Sequence, residues 1–337
     1  MHFDLRFWEE LLTPGEIVEK ALPFLTEFSA SVAVAMHPAS LTRKNANAFK
    51  KLKEAGIEFA FWPLMEKERG YWPCERNIST YAELVRNQLE WAERNGILPD
   101  MVAVDLEMSL LQVQKIMSAT SPVKKLRVAL SQVWDNLDRE RYYKARGRLS
   151  ELNDEIQDRG IRTLAAVLPW VGLELEWDVE LIQDMVETPV AGISWDVISP
   201  TVYVSMIAAM SGGTITRRDA NWLVYENCGM LRSKYGGRAG ISLGVTGVGV
   251  LEDEPTFDSP VDLAVGLEAA LAAGVRDISI FSLEGIISRP DPREWFEAIK
   301  AATPRVPERS RKIAGGLTAA RCVYPHVARL VDWYRRV

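Results

Sequence analysis

Asp105 and Glu107 are the residues of this 337-residue chain whose type and spacing offer chemistry most directly. They close the segment Asp100-Met-Val-Ala103-Val-Asp105-Leu-Glu107, an otherwise apolar run. On a β-strand, side chains two apart share a face. Asp105 and Glu107 therefore project together above Ala103, while Val104 and Leu106 turn the other way. Two carboxylates roughly 7 Å apart repel when both are charged, so one keeps its proton toward neutral pH. A general acid needs such a proton. The structural alternative is that Glu107 caps the next helix and Asp105 pairs with an arginine. Hydrolysis by two acids would need a partner carboxylate, about 5–5.5 Å away for retention or about 6.5–9.5 Å for inversion. Glu284, in Ser282-Leu-Glu284-Gly285, is one candidate, and Glu9 and Glu174 are others. Each could equally cap a helix or sit in a solvated loop, and Glu10 reads as a solvated loop residue.

Such a pair must be carried by a frame. Short β-rich apolar runs occur at 2–8, 31–36, 57–65, 101–108, 162–170, 197–205, 240–246 and 277–283. Helical spacing is found between them, at 41–55, 80–94, 217–235, 261–273 and 292–301, with Thr42 at a helix start and Gly56 and Gly274 just past helix ends. Eight strands with helices between them predict an α/β fold, a closed (β/α)8 TIM barrel spanning 1–302. The runs VAVAM, FAFW, MVAV and ISIF are apolar on both faces, as parallel strands covered by helices require. A doubly wound open sheet is the competing architecture. The connection after the fourth strand, 110–160, is long. Leu126, Leu130, Val133, Leu137, Leu149, Leu152 and Ile156 mark one helix there, with 138–148 as its solvated face. Residues 303–337 predict a C-terminal helical extension packed on the barrel through Val327, Leu330, Val331 and Trp333.

In barrels of this kind the reactive groups stand at the C-terminal ends of the strands. Eleven tryptophans are many for this length, and Trp8, Trp62, Trp72, Trp170 and Trp177 fall at or just past predicted strand ends. Sugar rings present apolar C–H faces that pack on flat indoles, whose N–H also donates a hydrogen bond. Individually each tryptophan could simply roof the core. Trp91, Trp134, Trp222, Trp295 and Trp333 sit in helical segments as packing residues, and Trp195 precedes its strand at the wrong end for a site. The glycine-rich Gly244-Val-Thr246-Gly247-Val-Gly249 could cradle the phosphate of a phosphosugar, although Glu252, Asp253 and Glu254 follow it at once. No lysine stands at a strand end for Schiff-base chemistry.

The segment 100–107 resembles the D-x-x-D-x-D-x-E signature of family 18 glycoside hydrolases, the chitinases and endo-β-N-acetylglucosaminidases. That signature lies on the fourth strand of a (β/α)8 barrel, the strand on which 101–108 falls. The resemblance implies Glu107 as proton donor, Asp105 as the acid that orients a substrate acetamido group, and Asp100 as the outermost aspartate. It further implies Tyr203 on the sixth strand beside the reacting centre, and Phe281 in place of a tryptophan at the end of the eighth. Trp8, Trp62, Trp170 and Glu284 would complete the sugar subsite. Two positions depart from the pattern: Ala103 replaces the middle aspartate, and Val204 follows Tyr203 where the family has an acid. A barrel that binds carbohydrate without cleaving it is the alternative, and a phosphosugar-processing enzyme a further one.

Composition narrows the partners. A net charge of −6 argues against a general nucleic-acid or membrane-surface binder. Cys74, Cys228 and Cys322 form no disulfide framework, and three histidines without metal-ligand spacing predict neither metal nor cofactor. His37 would be the histidine of any serine triad, but no G-x-S-x-G elbow occurs. The first residues show no signal peptide and no run spans a membrane, so a cytoplasmic location is expected.

Overall fold

A computed structural model describes residues 2–118, 131, 136–247 and 255–334 of the chain. Its eight strands are β1 (Asp4–Glu9), β2 (Ala30–Met36), β3 (Phe59–Pro63), β4 (Met101–Leu106), β5 (Arg162–Val167), β6 (Val197–Tyr203), β7 (Gly240–Gly244) and β8 (Asp277–Phe281). Neighbours in sequence pair in parallel, and β1 also pairs with β8, so the barrel closes and an open sheet is excluded. The predicted strands overran mainly at their C-terminal ends, where the chain bends away into the loops of the barrel mouth.

Closure explains the double-sided apolar runs. Outward residues such as Val32, Val34, Phe59, Phe61, Val102 and Val104 pack against the helices. Each such fully buried side chain is worth about 1.5–3 kcal/mol. Many inward residues on β2 to β5 are small, among them Ala33, Ala35, Ala60, Ala103 and Ala166, beside the larger Trp62, Met101 and Leu164. The alanines leave room for three large rings. Trp8 meets Trp62 edge to face at 5.0 Å, and Trp62 meets Phe281 at 6.4 Å. Trp8 Nε1 donates to Ser242 Oγ at 3.1 Å, which fixes its ring as a floor. Below that floor, Arg6 pairs with Asp277 at 2.9 Å inside the barrel.

Helix starts follow local capping chemistry. Thr42 Oγ1 accepts from Asn45 N at 3.2 Å and opens the helix Arg43–Glu54. Asp138 accepts from Arg141 N and opens Arg139–Gln157. That cap overturns the single long helix expected through Leu137, because extended backbone at Asp138 separates it from what precedes. Leu149, Leu152 and Ile156 are buried as expected. Leu126, Leu130, Val133 and Trp134 lie outside the described residues.

The stretch 138–148 is also more than a solvated face. Arg141 turns inward and binds buried Glu75 at 2.8 Å and buried Glu187 at 3.0 Å. Burial still pushes the Glu75 carboxyl up to about 8. The C-terminal segment forms the helix Arg311–Tyr334. It touches the rest of the chain through Leu317, Ala328 and Tyr324. Val327, Leu330 and Trp333, expected to pack, are exposed instead. Among the described residues, no helix is long and apolar enough to cross a membrane.

Candidate active site

The C-terminal mouth of the barrel holds a cavity of about 390 Å³. Its walls come from Trp8 on and Glu10 after β1, Trp62 on and Trp72 after β3, Asp105 on and Glu107 just after β4, Trp170 after β5, Tyr203 on β6 and Phe281 on β8. The two carboxylates of the D-x-E segment therefore share an aromatic-walled hollow with most of the tryptophans named with them. Trp62 and Phe281 form the floor, Tyr203 packs on Phe281 at 5.9 Å, and Trp170 stands at the rim, 48% exposed. The short helix Val204–Met210 supplies Met206 and Ile207 to the far wall.

Asp105 is the electrostatic centre of the hollow. Burial holds its carboxyl well above the usual carboxylate range, and the charges of Glu107 and Glu10 push in the same direction. The indole N–H groups of Trp72 and Trp62 oppose that shift. Yet neither indole nitrogen nor Asp105 Oδ1 completes an aligned hydrogen bond within the chain. Both indoles are directed at the Asp105 carboxyl, and the loose geometry leaves this buried cluster only partly satisfied. The site can thus favour a proton on the Asp105–Glu107 pair and present flat rings to a ligand.

Other expected residues stand elsewhere. Glu284 lies at the start of the helix Leu283–Ile287, where its Oε1 accepts from Ser288 Oγ at 2.6 Å, and it does not line the cavity. Glu9 alternates to the opposite face from Trp8. It is fully buried and accepts from the backbone N–H groups of Leu11, Leu12 and Glu284, tying the β1 loop to the β8 loop. Burial brings its carboxyl to about 7. Glu174 is likewise buried and bound to Ile182, Gln183 and Tyr324, at about 7 for the same reason. Neither Glu9 nor Glu174 lines the cavity. Trp177 packs on Tyr324 at 5.5 Å, away from the hollow, and Trp195 is buried in the outer core. Asp100 Oδ2 accepts from Phe59 N at 3.0 Å at the opposite end of the barrel.

The two departures from the family 18 pattern have different weights. Ala103 is inside the barrel below Asp105, so an acid is absent from the site there. Val204 points into the outer core, and its identity removes nothing from the cavity. The glycines after β7 serve close packing. A Cβ on Gly285 would lie 2.2 Å from Gly247 N, and one on Gly247 would lie 2.6 Å from the Gly285 Cα. Gly249, Glu252, Asp253 and Glu254 lie outside the described residues.

Two contributors were missed or undervalued from sequence, Glu10 and Tyr71, while Trp72 was named among the strand-end tryptophans but not placed in the sugar subsite. Arg6, Trp8 and Glu10 continue one inward face of β1, a signal that the period of two does carry. Tyr71 carried no such signal. It sits at φ +67° directly after Gly70 at φ +105°, and this turn packs its ring against Trp72, behind the residues that line the cavity. There its hydroxyl donates to Glu10 Oε1. The His37 ring lies beside it at 5.8 Å, and burial lowers its pKa.

A closed parallel barrel with its cavity at the strands' C-terminal ends defines the chain as a (β/α)8 barrel of the kind whose chemistry sits at that face. No protein-family model and no curated protein matches it. Among solved structures, it is similar to the PgaB (BpsB) glycoside hydrolase domain from Bordetella bronchiseptica. The TM-score is 0.54 at 9% identity, covering 89% of this chain and 99% of that one. ScGas2 in complex with compound 9 gives a TM-score of 0.51 at 10% identity over 90% of this chain and 66% of that one. L-ribulose 3-epimerase gives 0.48 at 13% identity over 98% of each. At such identities the likeness is one of fold.

Proposed function

We propose that the chain is a glycoside hydrolase-like barrel acting on a carbohydrate, with Glu107 as proton donor and Asp105 assisting it. The observation that carries this reading is the joint placement of Asp105 and Glu107 in a cavity walled by Trp8, Trp62, Trp72 and Trp170. Its volume falls within the roughly 300–1,000 Å³ usual for small-molecule sites. Burial of Asp105 beside other carboxylates favours a proton on the pair. Glu107, the more open of the two, delivers it to the departing glycosidic oxygen. The pair then carries more negative charge, which stabilises the positive charge developing on the sugar ring. Tyr203 hydrogen-bonds near the reacting carbon, and Trp62, Trp170 and Phe281 stack on the ring faces.

The resemblance to family 18 supports an N-acetylated sugar. Ala103, however, leaves that family's acetamido-assisted route without its middle aspartate. Ala103 also favours a second reading, a carbohydrate-binding barrel without turnover.

A panel of aryl glycosides decides between them. Glu107→Gln keeps shape and removes the titratable proton, so release of 4-nitrophenol should fall about 10²- to 10⁴-fold. Sugar binding, followed by tryptophan fluorescence, should persist. Release that survives the substitution nearly intact overturns the assignment. Binding without any release by the wild-type protein selects the second reading.

A further inference from the structure

We propose that Glu10, held by the Tyr71 hydroxyl, is the second catalytic carboxylate of this site, acting as the base that activates water at the anomeric carbon. The inference rests on the glycosidase reading above and supplies a second carboxylate to a site whose acetamido-assisted route lacks its middle aspartate. Four observations converge on it. Glu10 continues the inward face of β1, whose neighbours on that face, Arg6 and Trp8, point into the barrel. It lines the same cavity as Asp105 and Glu107. It is near enough to Asp105 to act on that carboxyl electrostatically. Finally, Tyr71 is 4% exposed, stands in a strained left-handed conformation, and donates its hydroxyl proton to Glu10 Oε1.

Strain of this kind persists where the surroundings over-determine it, commonly at functional sites. The turn is indeed pinned: Met65 N donates to Tyr71 O at 2.9 Å, and Leu110 N donates to Gly70 O at 3.1 Å. One loop after β3 thus addresses both carboxylates, through the Tyr71 hydroxyl on Glu10 and the Trp72 indole beside Asp105. The three alternative second carboxylates are engaged elsewhere: Glu9 and Glu174 by backbone N–H groups, and Glu284 by Ser288. β1 and β4 lie three strands apart around the closed barrel, so Glu10 enters the shared cavity from a different strand than the β4 pair.

The step balances as follows. A water lone pair forms the new bond to the anomeric carbon while one water O–H breaks and its proton passes to Glu10. The bond from that carbon to the leaving oxygen breaks, and the leaving oxygen takes both electrons and the Glu107 proton. The products are the free sugar and an alcohol. Exchange with solvent then returns Glu10 to its anion and Glu107 to its acid. Tyr71 is a positioning residue: its hydrogen bond fixes the Glu10 rotamer and favours the anion that must accept the proton.

The test uses the full chain with matched 4-nitrophenyl and 2,4-dinitrophenyl glycosides. Glu10→Gln should lower turnover about 10²- to 10⁴-fold on both substrates, because water activation is needed whatever departs. Glu107→Gln should spare the dinitrophenyl substrate, whose leaving group needs no proton. Sodium azide added to Glu10→Ala should restore turnover at least tenfold and give the glycosyl azide, which a structural role for Glu10 would not produce. Tyr71→Phe should lower kcat with little change in KM and move the acid limb of the pH profile upward, since the Glu10 anion loses a donor. If Glu10→Gln stays within threefold of wild type, or if the loss in Glu10→Ala is not rescued by azide, Glu10 is not the base. The function itself stands in that case provided Glu107→Gln shows the leaving-group pattern. Absence of that pattern, or of turnover in the wild-type protein, instead removes the glycosidase reading and this inference with it.

Discussion

Asp105 combines two roles that pull in opposite directions. As a buried acid beside Glu107 and Glu10 it keeps a proton in reserve, but its ionisation inside the fold is unfavourable. Its folded pKa lies above the unfolded value, so the stability linked to it is complete at low pH and is lost as pH rises through the folded value. Asp105→Asn removes that liability. We expect turnover to fall about 10²-fold while thermal stability at pH 8 to 9 rises relative to wild type. Denaturation scans paired with aryl-glycoside assays at the same pH check both halves, and equal loss of activity and stability would contradict the role. The pairing of Asp105 with Glu107 was legible from the sequence because alternation along one strand is a local property. The direction of the pKa shift was legible only in part: like-charge repulsion follows from spacing, but burial, its larger cause, depends on Trp62 and Trp72 folding over it.

At the scale of elements, the barrel mouth is held by contacts between successive loops. Thr246 Oγ1 donates to Ser282 O at 2.8 Å and accepts from Ser282 N at 2.9 Å. Gly247 and Gly285 lie against each other there with no room for a side chain. Gly285→Ala must push backbone against backbone. It should cost about 3 kcal/mol or more, read as a lower urea midpoint, and should also impair the site because Phe281 precedes the displaced loop. The glycine-rich run after β7 looked like an anion cradle in one dimension, since glycine spacing alone does not distinguish exposed N–H groups from close packing. The same limit explains 138–148. Its charge density is visible in the sequence, whereas the inward turn of Arg141 depends on Glu75 and Glu187 arriving from two other loops.

For the whole molecule, acidity is distributed unevenly between core and surface. Glu9 and Glu174 are buried ties, one between the loops after β1 and β8, the other to the C-terminal helix, and each is raised to about 7. Their linked stability is fully present below about pH 4.5 and is lost as pH rises through about 7. Each contributes a slope of at most about 1.4 kcal/mol per pH unit. Thermal stability should therefore decline between pH 5 and 8, and Glu9→Gln or Glu174→Gln should make that decline shallower whatever the absolute stability of the variant. An unchanged slope in both would show that these carboxyls ionise freely. Asp219 and Glu16, held near 2 by hydrogen bonds at helix starts, act in a separate acid window, where stability falls as pH drops through their values.

The sequence by itself determined the alternation of strand and helix, the count of eight, and the face on which Asp105 and Glu107 stand. These are set by hydrophobic period and capping over a few neighbouring residues, which any chain segment carries with it. Tertiary structure decided which acids meet. Closing the barrel brought Glu10 and Tyr71, 61 positions apart, into contact beside the cavity that holds the β4 pair, and it sent Glu9, Glu174 and Glu284 to backbone or loop partners. It also left Val327, Leu330 and Trp333 exposed on a helix whose pattern suggested packing. Burial belongs to the neighbours a residue acquires, and those neighbours are supplied by distant parts of the chain only when the last strand hydrogen-bonds to the first.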